Sequence, residues 1–126
     1  MTASTTFGGN NTLFEVDLAT GNRTAVSSAS VGSGPVHASA EQMRLNSAKT
    51  HAYVLDSDLN ALILIRLTDG ARTIAFDFSN RDQFFDPSLR SFVITSDESK
   101  AYIIDGSWKG IYEVDLVGDT IQPISR

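Results

Sequence analysis

The chain has 126 residues, of which 41% are hydrophobic and 20% are charged, a composition typical of one globular domain. Ten basic and fifteen acidic residues give a formal net charge of −5, which excludes a general nucleic-acid binder because phosphate-backbone binding requires clustered Lys and Arg. The absence of cysteine excludes disulfides, Cys-ligated zinc and a cysteine nucleophile. No apolar run approaches the roughly 18–20 residues of a membrane span, and residues 1–10 lack the basic and apolar regions of a signal peptide.

Short β-prone runs separated by turn residues continue along most of the chain. No segment shows the 3.6-residue hydrophobic period of a helix, and turn clusters such as 68–70 (TDG) join adjacent runs as hairpins. The predicted strands, in chain order, are 12–18, 23–27, 42–46, 52–56, 61–67, 72–78, 91–95, 101–105, 110–116 and 120–125.

The sequence repeats with a shift of 49 residues. Residues 52–56 (AYVLD) recur as 101–105 (AYIID), and at two periods 13–18 (LFEVDL) aligns with 111–116 (IYEVDL). A period near 49 with four strands per period is typical of propeller blades. The sequence therefore predicts an all-β fold, a partial β-propeller of tandem four-stranded antiparallel blades. The further matches at the same shift are Leu18, Gly21, Arg23 and Thr24 with Leu67, Gly70, Arg72 and Thr73.

We interpret the chain as a single propeller segment in three parts. Residues 7–28 form an outer half-blade of two strands, 29–78 form one blade and 79–126 form another. These parts amount to about 2.6 repeats, whereas a closed ring needs roughly four to eight blades. We therefore expect the terminal blades to expose apolar faces, which either self-association or the missing blades of a larger propeller would cover.

Three segments carry a resemblance to a known class. Residues 13–27 (LFEVDLATGNRTAVS), the following 31–35 (VGSGP) and 43–56 resemble bacterial propeller repeats of the NHL and gluconolactonase-like kind. The resemblance implies a six-bladed ring, and an extracytoplasmic location is common among such proteins. Some relatives hydrolyse lactones with an axial calcium ion, whereas others only bind or scaffold. The second connection, 79–88 (SNRDQFFDPS), departs from the GxGP pattern.

Five residues are candidates for lining a ligand site or the central channel. His37 lies in a loop that leads to an inner strand, and Arg44 lies on that strand. Asn46 and Thr95 end the two inner strands, where they either face the channel mouth or begin turns. Trp108 lies at a turn, where it either covers the hairpin or forms an exposed contact.

Asp56, Asp58 and Asn60 are weak candidates for a calcium site. Their D-x-D-x-N spacing opens a calcium loop, but Ala61 and Leu67 stand where an EF-hand requires Gly and Glu. The other interpretation is that the Asp56 carboxylate caps the following turn. We predict no cofactor beyond the calcium that a hydrolase would need.

The leading hypothesis for function is a non-catalytic β-propeller module that binds or scaffolds through its loops and channel. A calcium-dependent lactonase or esterase-like hydrolase is one alternative, although the predicted inner strands offer no acidic ligand. A self-assembling, lectin-like array of blades is another.

Overall fold

The computed structural model describes residues 3–8, 12–36, 40–78, 89–105 and 110–125. These residues form eleven strands and no helix, so none of them lies in a helix able to span a membrane. The strands are β1 (Ala3–Gly8), β2 (Thr12–Asp17), β3 (Arg23–Ser27), β4 (Ala40–Leu45), β5 (His51–Asp56), β6 (Ala61–Arg66), β7 (Arg72–Asp77), β8 (Leu89–Ile94), β9 (Lys100–Asp105), β10 (Gly110–Asp115) and β11 (Thr120–Ser125).

The strands form three antiparallel sheets in which chain neighbours are also sheet neighbours. The first sheet has the order β1-β2-β3, the second β4-β5-β6-β7 and the third β8-β9-β10-β11. The prediction of an all-β chain with tandem four-stranded antiparallel sheets is confirmed. Short polar turns permit this meander because each connects adjacent strand ends without a crossover.

The first sheet has one strand more than we predicted. Its β1 pairs with β2 from Ala3↔Asp17 to Gly8↔Thr12, so the two predicted strands belong to a three-stranded sheet that begins at Ala3. The prediction missed β1 because its sequence, ASTTFG, is polar and lacks the apolar alternation that marks a strand. β1 pairs with β2 as β5 pairs with β6, so β1 is the repeat equivalent of β5. No described strand of the first sheet is equivalent to β4.

Backbone register confirms the 49-residue repeat. Leu55 pairs with Leu62 in the second sheet, and Ile104 pairs with Ile111 in the third. The register also shifts at the same point of every sheet, where an extra residue enters the last strand. These shifts lie at Leu13/Phe14, Leu62/Ile63 and Ile111/Tyr112.

The second sheet is buried on both faces. We call the face of a sheet that points to the next sheet along the chain its front face, and the opposite one its rear face. The apolar runs of β5 and β6 have no polar alternation because both faces are covered. The rear face packs on the first sheet in a cluster of Leu13, Ala52, Val54, Ala61, Ile63 and Ile65. The front face packs on the third sheet in a cluster of Tyr53, Leu55, Leu62, Phe76, Phe78, Phe92, Ala101, Ile103, Tyr112 and Val114.

The third sheet is covered on its rear face only. Burial alternates along β10: Tyr112 and Val114 are buried, whereas Ile111 is exposed. Ile111 is 37% exposed although its repeat equivalent Leu62 is fully buried. The difference arises from position, because no described sheet lies in front of the third one.

Leu62→Ala should lower the free energy of unfolding by about 2–5 kcal/mol, because it removes buried methyl groups and leaves a cavity between two sheets. Leu18→Ala deletes the same atoms from a turn residue that is 65% exposed and should change stability by less than about 0.5 kcal/mol. Chemical denaturation of both variants measures the difference. Equal losses would show that Leu62 does not lie in the core.

Candidate functional site

The turns that follow β4 and β8 lie side by side, at the same end of the strands in their two sheets. Both have the same backbone geometry, with Lys49 and Glu98 at positive φ of 59° and 61°. In the first turn the buried Asn46 accepts hydrogen bonds at its Oδ1 from the amides of Thr50 (2.9 Å) and His51 (3.0 Å). Asn46 therefore organises this turn.

Side chains join the two turns across the gap between the sheets. Glu98 accepts from the Tyr53 hydroxyl at 2.8 Å and from Asn46 Nδ2 at 3.3 Å. Ser47 Oγ donates to the Ser96 carbonyl at 3.1 Å. Burial, followed by the Glu98 contact, raises the pKa of the Tyr53 hydroxyl, so Tyr53 stays a neutral donor. These bonds fix the spacing between the second and third sheets.

Thr95 organises the second turn, as Asn46 does the first. Its Oγ1 accepts from the Lys100 amide at 3.1 Å and donates to Asp97 at 2.8 Å. Asp97 also accepts from the Ser99 amide at 3.0 Å. The Ser99 amide, and then the Ser99 and Thr95 hydroxyls, lower the pKa of Asp97 to about 2, so this edge carries a fixed negative charge near neutral pH.

Arg44 lies at the seam between the inner strands β4 and β8. Its Nε donates to the Phe92 carbonyl at 3.0 Å, and Gln42 Oε1 accepts from the Phe92 amide at 2.7 Å. Two side chains of β4 thus bind both polar groups of one residue in β8. The structure places the candidates Arg44, Asn46 and Thr95 along one pair of neighbouring blades, and their polar groups hold strands and turns together.

A second polar site, which the sequence interpretation missed, lies between the first and second sheets. The Arg72 side chain is almost fully buried and donates to Ser27 Oγ at 2.7 Å. Burial lowers the pKa of its guanidinium, so the neighbouring acceptors must compensate for lost hydration. The remaining acceptors are the carbonyls of Pro35 (2.7 Å), Val31 (3.0 Å) and Gly34 (3.2 Å).

Glycine at two points lets this loop approach the β6–β7 hairpin. A side chain at Gly70 would overlap the Val26 carbonyl, and one at Gly34 would overlap the Arg72 carbonyl. Both glycines also have positive φ, 75° and 91°, which favours glycine. The sequence contains a Gly-x-Arg hairpin end and a GxGP loop, but their contact carries no sequence signal of its own, because the Gly-x-Arg end at 21–23 has no described loop packed on it.

The same hairpin end occurs in the first sheet, where no described loop packs on it. A Cβ on Gly21 would meet nothing within 4 Å. The exposed Arg23 is the repeat equivalent of Arg72, and its guanidinium carbon lies 5.2 Å from the centre of the Phe14 ring. Arg23 thus has the position of Arg72 but stacks on an aromatic residue of its own sheet.

The proposed calcium loop is a hydrogen-bonded turn. Asp56 is fully buried, and its Oδ1 accepts from the amides of Asp58 (3.1 Å) and Leu59 (2.9 Å). Asn60 has a positive φ of 54°, and its carbonyl accepts from the Phe78 amide. Among the residues that the structure describes, no three acidic or histidine side chains converge as a metal site. The candidates His37 and Trp108 lie outside the described residues.

Comparison with known proteins supports the architecture. No family model and no curated protein matches the chain. Among solved structures, it is similar to a β-propeller chain in the crystal structure of a nidogen/laminin complex, with 17% identity and a TM-score of 0.61. The chain has the fold of a partial β-propeller. The match covers 89% of this chain but only 39% of that one, so the chain spans well under half of the propeller chain that it matches.

Arg72→Ala should lower the free energy of unfolding by about 2–4 kcal/mol, because it leaves a buried hydroxyl and three carbonyls without their donor. Arg23→Ala, the matched change in the first sheet, removes one exposed cation–π contact and should cost at most about 1 kcal/mol. Urea denaturation of the two variants is the measurement. Similar losses for both would mean that Arg72 does not hold the loop.

Proposed function

We propose that the chain is a non-catalytic β-propeller module of the NHL or gluconolactonase-like kind that binds other protein surfaces. The observation that carries this proposal is the front face of the third sheet. It presents four large apolar side chains to solvent, Val93, Ile104, Ile111 and Ile124, which are 48%, 47%, 37% and 52% exposed. Exposed apolar patches of this kind mark interaction surfaces.

Polar side chains share this face with the apolar ones. Glu113 accepts from the Tyr102 hydroxyl at 3.1 Å and from Gln122 Nε2 at 2.8 Å, and Lys100 Nζ lies 3.9 Å from Glu113. The Gln122 and Tyr102 bonds lower the pKa of Glu113, so the polar groups of this face are hydrogen-bonded in advance. Protein interfaces combine apolar side chains with hydrogen-bonded polar groups in this way.

The sheet that carries this patch is packed firmly on its rear face, which favours a scaffold. Its rear face is packed against the second sheet through Phe92, Ile103 and Tyr112. Arg44 and Gln42 of the second sheet also form hydrogen bonds with the backbone of Phe92 in this sheet. A surface held in this way loses little conformational freedom on binding, which lowers the free-energy cost of association.

An uncharged apolar fluorescent dye such as Nile red should bind the native chain at this face. Ile104→Lys should reduce dye binding severalfold because it places a charge in the centre of the patch. Val117→Lys introduces the same charge at a turn residue that is 82% exposed and should leave binding unchanged. Dye fluorescence, titrated at low protein concentration, measures both effects, and equal binding by the two variants would contradict the proposed face.

The same preparations test the hydrolase alternative. We expect no lactone hydrolysis above the uncatalysed rate and no calcium-dependent shift in melting temperature. A site with calcium at 100 times its Kd would add about 2.7 kcal/mol to stability, which a thermal melt detects. Calcium-dependent turnover that Asp56→Asn abolishes would overturn the non-catalytic proposal.

A further inference from the structure

We propose that the front face of the third sheet docks on the rear face of the first sheet of a second copy of this chain. This inference rests on the proposed binding function and names its partner. Two identical junctions of this kind would join two copies head to tail in a closed ring.

The front face of the third sheet is the repeat equivalent of a face that is already packed. Tyr102, Ile104 and Ile111 hold the positions that Tyr53, Leu55 and Leu62 hold in the second sheet. The second set is buried against the rear face of the third sheet. The surface that fits Ile104 and Ile111 is therefore the rear face of another blade.

Among the described sheets, the first one offers such a face. Val16 pairs with Arg23 as Ile65 pairs with Arg72, so Val16 and Phe14 correspond to the buried rear-face residues Ile65 and Ile63. The described residues place no sheet behind the first one. Val16 and Phe14 are only partly buried in the single chain, and a second copy would complete their burial.

The two open faces, the front of the third sheet and the rear of the first, carry a Ser and an Arg at equivalent positions. The junction between the second and third sheets has no such pair. Where the first and second sheets meet, Arg72 donates to Ser27. Ser125 holds the backbone register position of Ser27, and Arg23 holds that of Arg72, so the two open faces carry the same pair of residue types at these positions.

The middle junction has two apolar residues at the same positions. Phe76 pairs with Leu62, and Ile121 pairs with Val114. The two open faces thus match the first junction rather than the second. Arg23 is exposed and would exchange its contact with the Phe14 ring for acceptors on the partner.

The number of sheets is compatible with ring closure by two copies. Two copies would together hold six of the described sheets. Head-to-tail contacts close a ring or grow into fibres, and six sheets fall within the roughly four to eight blades of closed propellers.

Sedimentation velocity of the full chain over a range of concentrations tests this assembly. We expect a species of twice the chain mass, with no larger species. Ile104→Lys on the front face and Val16→Lys on the rear face should each give monomers, whereas the control Val117→Lys should remain dimeric. Arg23→Glu, at an exposed residue, is a second rear-face variant and should weaken the dimer at least about tenfold.

An equimolar mixture of the Ile104→Lys and Val16→Lys variants keeps one intact front face and one intact rear face. It should therefore recover dimers with one junction. Dimers that resist both Val16→Lys and Arg23→Glu but are lost with Ile104→Lys would reveal front-to-front pairing and overturn the proposal. A monomer at all concentrations, or open-ended growth, would also overturn it. A monomer that still binds the dye through Ile104 would leave the proposed binding face standing while the second copy is rejected.

Discussion

Burial of the second sheet on both faces is the constraint on which the rest of the structure depends. Apolar side chains alternate between two clusters along β5 and β6, so one set packs backward and the next packs forward. A β-blade of this size cannot bury enough surface alone, and stacking with neighbours supplies the core. The first and third sheets are thus held by the second, and each has one face on which no described sheet packs.

Hydrogen bonds between polar groups of neighbouring sheets set how the stacked sheets are placed relative to one another. Apolar packing is non-directional, so it leaves the lateral position of two sheets weakly determined. Arg72 fixes the first pair by binding a loop through its carbonyls, and Glu98 fixes the second pair through Tyr53 and Asn46. These polar contacts therefore serve the assembly of the blades.

Most of the fold was predictable from the sequence because repetition and turn chemistry are local signals. The strands of the second and third sheets lie within two residues of their predicted bounds. The strand β1 was not predictable, because its polar sequence pairs only through backbone contacts with β2. Repetition also cannot show that Leu62 is buried and Ile111 exposed, since that difference depends on whether another sheet follows.

The candidate site was predictable in part. Asn46 and Thr95 were recognised as strand-ending polar residues with two alternative roles, and their hydrogen bonds organise the turns. Arg72 was seen only as a repeated residue, because its acceptors lie some 40 positions earlier in the chain. Such long-range contacts have no sequence signature of their own.

Hydrogen exchange of the Ile104→Lys variant, whose front face carries a charge, tests the stacking of the sheets most directly. The amides of β5 and β6 should exchange most slowly, since their sheet is covered on both faces and opens only with the whole domain. The equivalent amides of β9 and β10 should exchange faster, because one face of their sheet is exposed. Equal protection in β6 and β10 would contradict the account, as it would show that coverage by neighbouring sheets does not determine stability.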